Sequence, residues 1–327
     1  MLDDVTGRQL SPIFVGRETE TTMLESRLAD ARNGQASVVL VGGEAGVGKT
    51  RLVEEFSGTA TSAGARVLLG GCFDLGDDAL AFAPFSAALR EPMRTNGVTE
   101  FVELAGGAGA DRRRLYEAVT DLLEDLGSDN PLVLILEDLH WADRSTRELL
   151  AFLARTLHDS AVLVVGTFRS DELHRAHPLR PFLAELDRVR SVERIELMRL
   201  DRPQVEQQLT GLLERPPTAI ELERVFRRSE GNPFFVEELS SCPTISTLPD
   251  SLRDLMLVRV ERLDRRTQQV LRNAAIIGVT VPHALLSVVL DETEEELTTA
   301  LREAVGSNLL VTHSDDDSYV FRHSLLR

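Results

Sequence analysis

One stretch near the start of the chain constrains the fold more than any other. Residues 38–56 read VVLVGGEAGVGKTRLVEEF, an apolar run that breaks into glycines, reaches Lys49 and Thr50, and resumes with helical spacing. From Gly43 onward the stretch matches the pattern G-x-x-x-x-G-K-[ST]. Glycines let backbone N–H groups turn inward around phosphate oxygens at the N-terminus of a helix. The sequence therefore predicts a phosphate-binding loop between a strand and a helix.

The loop residues have predicted parts in holding a nucleotide and a magnesium ion. Lys49 is expected to reach the β- and γ-phosphates as a point charge, and the Thr50 hydroxyl to hold Mg²⁺. The predicted nucleotide-binding residues of this segment are Gly43, Glu44, Ala45, Gly46, Val47, Gly48, Lys49, Thr50 and Arg51. The predicted cofactors are accordingly ATP or ADP and Mg²⁺.

A second apolar run, LVLILEDLHWAD at residues 132–143, contains two carboxylates where its strand pattern ends. A buried strand here would deliver Glu137 and Asp138 to the edge of the sheet where ligands bind. One acid is expected to approach Mg²⁺ and the other to polarise the attacking water, so both are candidates for catalysis and for metal binding. The order Glu-Asp leaves the division of these two tasks open.

A third apolar run ends in the residues GTFRSDE, at the end of the stretch 162–172. Since ligands of open α/β sheets bind beyond the carboxyl ends of the strands, Thr167 and Arg169 are expected to face the same crevice as Lys49. An arginine there can read a γ-phosphate, which makes Arg169 the third catalytic candidate. An ordinary surface arginine after a strand is the alternative.

The pattern of the whole chain predicts an α/β fold. Strand patterns alternate with helix patterns in the first half, which argues for a parallel sheet covered on both faces. These strand patterns lie at 37–41, 66–70, 132–136, 161–166 and 192–197. The predicted fold is a P-loop NTPase, residues 1–197, followed by a helical domain, 198–245, and a winged-helix domain, 246–327. The last of these rests on several helix patterns and a hairpin pattern at 308–323.

Charge and composition exclude several classes of function. The chain has 36 basic and 53 acidic residues, a net charge of −17, and such a chain is repelled by phosphate backbones. The short basic cluster at 111–115 is interpreted as a solvated face, so direct binding of nucleic acid is not expected. No apolar run approaches the roughly 20 residues that span a membrane, and no secretory signal is visible. Only Cys72 and Cys242 are present, which fits the cytoplasm.

Six motifs together resemble the STAND-type signal-transduction NTPases. They occur in the order seen in that family: FVGRE (14–18), GEAGVGKT (43–50), LEDLHWAD (136–143), GTFRSDE (166–172), EGNPFFVEEL (230–239) and FRH (321–323). Within that family, the sequence is most similar to the ATPase module of the large ATP-binding LuxR-type bacterial transcription regulators, over residues 12–327. The resemblance implies that Val15, Gly16 and Arg17 lie against the adenine, and that Arg169 is the sensor arginine. It also implies that Pro233 packs on the adenine and that His323 contacts the β-phosphate of ADP.

By the same resemblance, the chain is expected to be a nucleotide-operated switch. ADP would hold the domains closed, exchange for ATP would open them and favour self-association of the longer protein, and slow hydrolysis would reset the switch. Sensor and LuxR-type DNA-binding regions would lie outside this chain. Two alternatives are a small-molecule kinase, for which no acceptor-binding segment is apparent between the motifs, and a DNA-stimulated AAA-type ATPase, which the net charge opposes.

Overall fold

The computed structural model describes residues 12–73, 81–95, 112–174 and 177–240. Beyond these it describes residues 257, 260, 261, 263–278, 280–290, 292–307, 309–313 and 317–321. The chain divides into two compact units. Arg17–Met198 form one, here called the sheet unit, and the residues from Arg199 onward together with those up to Gly16 form the other, here called the C-terminal unit.

The sheet unit alternates helices and strands along the chain. Its elements are α1 (Glu18–Arg32), β1 (Ser37–Gly43), α2 (Lys49–Ser62), β2 (Arg66–Gly71), α3 (Ala83–Thr95), α4 (Arg112–Gly127), β3 (Leu132–Glu137), α5 (Arg144–Thr156), β4 (Val162–Thr167), α6 (Leu179–Leu186) and β5 (Val192–Leu197). All five strands lie within two residues of the predicted bounds, so the predicted strands are confirmed.

The five strands form one sheet in the order β2-β3-β4-β1-β5, and every neighbouring pair is parallel. This confirms the predicted parallel α/β sheet. Successive residues of a strand point to opposite faces, and the inner strands β1, β3 and β4 are buried almost without interruption. Both faces of these strands are therefore covered. Because β4 lies between β1 and β3, the carboxyl ends of the three strands are neighbours.

Helices of the sheet unit bury one apolar stripe each. In α4 the residues Leu115, Val119, Leu122 and Leu126 recur at steps of three and four, and this spacing puts them into the core that also contains β3 and β4. Helix α6 was not predicted, although its buried residues Leu179, Phe182, Leu183 and Leu186 follow the same spacing. With only eight residues it presents two turns of that pattern, too few to stand out in the sequence.

The C-terminal unit begins with three helices, α7 (Arg202–Leu213), α8 (Ala219–Ser229) and α9 (Pro233–Ser240). Capping boxes start the first two, because Asp201 pairs with Gln204 and Thr218 pairs with Glu221. The apolar residues of the three helices form a core of their own, which includes Leu209, Val225 and Val236.

The later part of this unit has a second core and a small sheet. Its elements are α10 (Arg265–Ile277), β6 (Thr280–Pro282), α11 (His283–Val289), α12 (Glu294–Gly306), β7 (Leu310–His313) and β8 (Ser318–Phe321). The predicted hairpin forms, since β7 and β8 pair antiparallel, but β8 also pairs with the unpredicted β6. Three residues are too few to show the alternation that predicts a strand, and β6 forms because it pairs with β8. One of the helix patterns on which the predicted winged-helix domain rests is at 251–263, and most of that range lies outside the described residues.

Among the residues that the structure describes, no helix combines the length and the apolar character that crossing a membrane requires. The naming of the two C-terminal segments as a helical domain and a winged-helix domain stays a prediction.

Candidate phosphate-binding site

The loop between β1 and α2 depends on glycine at three positions. Gly43, Gly46 and Gly48 have φ angles of 154°, 79° and 101°, which side-chain-bearing residues adopt rarely. At Gly43 a Cβ atom would also lie 2.7 Å from Val47 Cγ1 and 3.2 Å from Leu197 Cβ. At Gly48, the N-cap of α2, an added Cβ atom would meet nothing within 4 Å, so backbone conformation alone requires glycine there. The backbone of the loop thus fits a cradle for phosphate oxygens.

Lys49 is the only lysine of the chain, and the loop wraps around its side chain. The residue is 8% exposed. Its Nζ donates hydrogen bonds to the carbonyl oxygens of Gly43 and Glu44, each at 2.8 Å. Burial lowers the pKa of the Lys49 ammonium to about 8, the Asp171 carboxylate opposes this shift most strongly, and Arg169 adds to it. The ammonium is therefore held at the loop by neutral carbonyls and nearby carboxylates.

The two acids lie where the sequence predicted them, at the carboxyl end of β3: Glu137 is its last residue and Asp138 follows it. Asp138 adopts a left-handed backbone conformation with φ 57°, and its N–H donates to the Thr167 hydroxyl oxygen at 3.0 Å. Thr167, the last residue of β4, is buried. Burial raises the pKa of both Glu137 and Asp138 above the usual values. The end of β4 therefore fixes the turn that carries the acids.

The donor set at this edge fits a magnesium ion. The Thr50 hydroxyl hydrogen-bonds to Glu137, which lowers the pKa of that carboxyl against the effect of burial. Magnesium takes oxygen ligands and is held by one or two carboxylates together with substrate phosphates. Thr50 with Glu137 or Asp138 would hold it here. Within the described part of the chain, no group of three or more His, Cys, Asp and Glu side chains forms a metal-binding cluster.

Arg169 lies close to the other predicted site residues. Its charge lowers the pKa of both Lys49 and Asp138, which places the three side chains within electrostatic reach. Its Nη1 donates to Glu172 Oε1 at 2.5 Å, and its guanidinium lies 5.0 Å from the centre of the Trp141 ring. The arginine is thus held by an acid and an aromatic ring at the crevice that the strand ends form, where the sequence predicted it.

His140 joins this cluster without having been predicted. Its side chain is fully buried, with Nδ1 3.7 Å from Asp138 Oδ1 and Nε2 3.6 Å from Glu172 Oε2. Its ring centre lies 4.5 Å from that of Trp141. The histidine thus lies between Asp138, which follows β3, and Glu172, the acid that holds Arg169. The only signal in the sequence was its place in the motif LEDLHWAD.

Arg17 supports the loop from outside the motif. Its Nη2 donates to the carbonyl oxygens of Val47, at 2.9 Å, and Met198, at 2.8 Å, and burial lowers the pKa of its guanidinium. Val15 and Gly16 belong to the C-terminal unit, where a Cβ atom on Gly16 would lie 2.6 Å from the Gln204 side chain. The adenine contacts of these three residues stay predictions.

The remaining predicted contacts are farther along the chain or on the surface. Pro233 begins α9, and its carbonyl oxygen accepts a hydrogen bond from Gln208 Nε2 at 3.1 Å. Its contact with adenine stays a prediction, and His323 lies outside the described residues. Arg51 pairs with Glu55 on α2 at 2.9 Å, so its place in nucleotide binding also stays a prediction.

The sheet order, the glycine loop after β1 and the acids after β3 define the class: the sheet unit has the fold of a P-loop nucleoside triphosphatase. Residues 13–165 match the family described as an AAA ATPase domain. A fold of this class implies nucleotide binding, typically with Mg²⁺.

Individual relatives are distant. An uncharacterized protein of Rhizobium meliloti (strain 1021) is 26% identical over 375 residues, which cover 98% of this chain and 35% of the relative. The chain therefore spans about a third of the length of that curated relative. A Walker-type ATPase of Pyrococcus abyssi shares the fold with a TM-score of 0.64 and 17% identity, over 100% of this chain and 98% of that one. A signal-transduction ATPase with a tetratricopeptide-repeat sensor from Pyrococcus horikoshii aligns with a TM-score of 0.47 and 17% identity, over 99% and 44% of the two chains.

Proposed function

We propose that this chain is an ATP- and ADP-binding signal-transduction switch module with slow ATPase activity. The observation that carries the proposal is the electrostatic contact among Lys49, Asp138 and Arg169, which follow the three neighbouring strands β1, β3 and β4 along the chain. Two positive charges and a glycine cradle suit a chain of phosphates, and they stabilise the charge that develops on phosphoryl transfer. Magnesium, when bound, neutralises phosphate charge and aligns the phosphates for in-line attack.

The acids after β3 are suited to hold the metal and to orient water. Burial raises the pKa of Glu137, which makes its carboxylate a better acceptor for a proton of the attacking water. Asp138 is fixed by the hydrogen bond from its N–H to Thr167, and Lys49 and Arg169 favour its charged form. Both residues stay candidates for the base and for the magnesium ligand. Arg169, bound to Glu172, must leave that partner to reach a γ-phosphate, which is consistent with slow turnover.

In the longer protein, we propose that exchange of ADP for ATP opens the domains, favours self-association and regulates a LuxR-type transcription factor in the bacterial cytoplasm. The order of the six motifs and the match to an AAA ATPase domain support this hypothesis. In the closed state Val15, Gly16, Pro233 and His323 would contact the ADP. To act as a switch, the two nucleotides must differ in affinity for the two states by several kcal/mol.

The first test is calorimetric titration of the chain with ADP and with a non-hydrolysable ATP analogue, each with Mg²⁺. We expect micromolar binding that Lys49→Ala weakens by at least about tenfold, since it removes a charge-assisted contact. Arg66→Ala, which removes an exposed positive charge at the start of β2, is the matched control and should bind as the wild type does. Unchanged affinity in Lys49→Ala would contradict the site.

The second test concerns the switch. Sedimentation of the full-length protein with ATP, with ADP and without nucleotide should give different shapes or oligomers. Identical profiles would contradict nucleotide-dependent opening. ATP consumption that requires an added small acceptor would indicate a kinase instead, and stimulation of ATPase activity by DNA would indicate a DNA-dependent AAA-type enzyme.

A further inference from the structure

The turn after β4 contains two acids that the sequence reasoning left without a role. The turn spans Ser170–Glu172, and the Asp171 residue within it is 4% exposed. Asp171 Oδ1 accepts a hydrogen bond from the Ala45 N–H of the phosphate loop, at 3.2 Å. A carboxylate buried to this extent requires donors or positive charges around it. Here one of the donors is a backbone amide of the phosphate loop.

Asp171 also acts on the lysine of the loop. Burial lowers the pKa of the Lys49 ammonium to about 8, and among the charges that oppose this shift the Asp171 carboxylate has the largest effect. The Ala45 N–H and the Lys49 ammonium are groups of the kind that such a loop turns toward phosphate. The carboxylate of Asp171 therefore experiences the positive field that a bound phosphate would experience.

The neighbouring acid, Glu172, engages the second cationic group of the site, the guanidinium of Arg169. Glu172 Oε1 accepts a hydrogen bond from Arg169 Nη1 at 2.5 Å. One short turn thus supplies acceptors to a loop amide and to the arginine, and a negative charge near the lysine. The carboxylates of Asp171 and Glu172 thus place negative charge beside the phosphate loop, where they interact with groups suited to bind phosphate.

We propose that Asp171 determines the selectivity of this site between nucleoside diphosphates and nucleoside triphosphates. The inference rests on the proposed nucleotide-binding function. A triphosphate carries an additional negative charge at the end that Lys49 and Arg169 are expected to bind. The Asp171 carboxylate repels that charge at short range and competes for the Ala45 N–H, whereas a diphosphate ends one phosphate earlier. Asp171 therefore favours the diphosphate, and Glu172 adds to this preference by holding Arg169.

The proposal is tested by the ratio of two dissociation constants. The chain is titrated calorimetrically with ADP and with the β,γ-imido analogue of ATP, both with Mg²⁺, as wild type and as Asp171→Asn. Asparagine retains an oxygen acceptor for the Ala45 N–H and removes the charge. We expect the affinity for the triphosphate analogue to rise about tenfold and that for ADP to change by less than about threefold, since a like charge at short range is removed.

A matched control separates this local effect from the total charge of the protein. Glu196 is an exposed carboxylate that accepts a hydrogen bond from Ser170 Oγ at 2.6 Å, beside the same turn. Glu196→Gln removes one negative charge and should leave the ratio of the two dissociation constants unchanged. Glu172→Gln, which releases Arg169, should shift the ratio in the same direction as Asp171→Asn. This second variant keeps the test decisive if Asp171→Asn does not fold.

The inference is overturned if both nucleotides bind to Asp171→Asn and the ratio stays within about twofold of the wild-type value. It is also overturned if Glu196→Gln shifts the ratio as far as Asp171→Asn does, because the effect would then be one of overall charge. If the wild-type chain binds neither nucleotide, the proposed function itself fails and this inference fails with it.

Discussion

The guanidinium of Arg17 holds the carbonyl oxygen of Val47 at 2.9 Å, across 30 residues of sequence. The same Nη2 atom donates to the carbonyl oxygen of Met198, the last residue of the sheet unit. Arg17 is 5% exposed, and its hydrogen bond to Val47 is buried, whereas the bond to Met198 is only partly buried. The first and the last residue of the sheet unit are in this way tied to the phosphate loop.

Removing this arginine is expected to cost stability and loop order together. We predict that Arg17→Ala lowers the free energy of unfolding by about 1–3 kcal/mol, because it removes the buried hydrogen bond to the Val47 carbonyl and the partly buried one to Met198. Urea unfolding followed by the fluorescence of Trp141, the only tryptophan of the chain, measures this. Arg17→Lys keeps the charge but not the planar guanidinium, so its free energy of unfolding should lie between those of the wild type and Arg17→Ala. Wild-type stability in Arg17→Ala would show that the contacts are dispensable.

The low pKa of Lys49 predicts a pH dependence of nucleotide binding. Burial lowers this pKa to about 8, and a bound phosphate would raise it again. Below about pH 8 the Lys49 side chain is already protonated, so its titration does not make the affinity depend on pH. Above about pH 8 binding must take up a proton, so the affinity should fall by about tenfold per pH unit. Calorimetric titrations across this range measure the slope.

Lys49→Arg provides the control for this slope. Arginine remains protonated throughout the range, so a variant that still binds should show no such fall. An equal slope in Lys49→Arg would assign the pH dependence to another group.

Asp143 of the LEDLHWAD motif is expected to act on stability and not on binding. Asp143 is the N-cap of α5, and its carboxylate accepts hydrogen bonds from the N–H groups of Ser145, at 2.7 Å, and Thr146, at 3.2 Å. It also accepts one from the N–H of Phe82 at 3.3 Å. We predict that Asp143→Ala lowers the free energy of unfolding by about 1–2 kcal/mol, whereas Asp143→Asn keeps most of the cap. A loss of nucleotide affinity without a loss of stability would contradict this assignment.

Cys72 is expected to be chemically inert in the folded protein. Burial, together with the Asp138 and Asp143 carboxylates, raises the pKa of its thiol to about 12. We predict that in a Cys242→Ser background Cys72 reacts with thiol reagents at about pH 8 at least about a thousandfold more slowly than free cysteine, because little thiolate is present. In denaturant the rate should return to that of free cysteine. Rapid labelling of the folded chain would show that the thiol is exposed.

Local patterns in the sequence predicted much of the fold. The inner strands β1, β3 and β4 were predictable because continuous apolar runs mark strands that are covered on both faces. Helix α6 was missed because eight residues give too short a pattern. Strand β6 was missed because its three residues become a strand only through their pairing with β8.

In the candidate site, too, some features were predictable from the sequence and others were not. Lys49 and Thr50 follow from the spacing of the loop motif, and Arg169 follows from the rule that ligands bind beyond strand ends. The order β3-β4-β1, which makes the three strand ends neighbours, is a property of the assembled sheet and of no single segment. The contacts of Asp171 with Ala45 and of His140 with Glu172 could not be predicted, since they depend on how side chains from separate loops pack.

By itself, the sequence determined that a glycine loop with one lysine follows a buried strand and that two acids follow another, because local conformation and residue type carry that chemistry. Only the tertiary structure decided what surrounds the lysine. It places Lys49 in a buried position, gives its loop a donor from Arg17 and gives a loop amide an acceptor from Asp171. Burial and charge at a distance depend on residues far apart in the chain, and these set the pKa of Lys49 and the competition for phosphate.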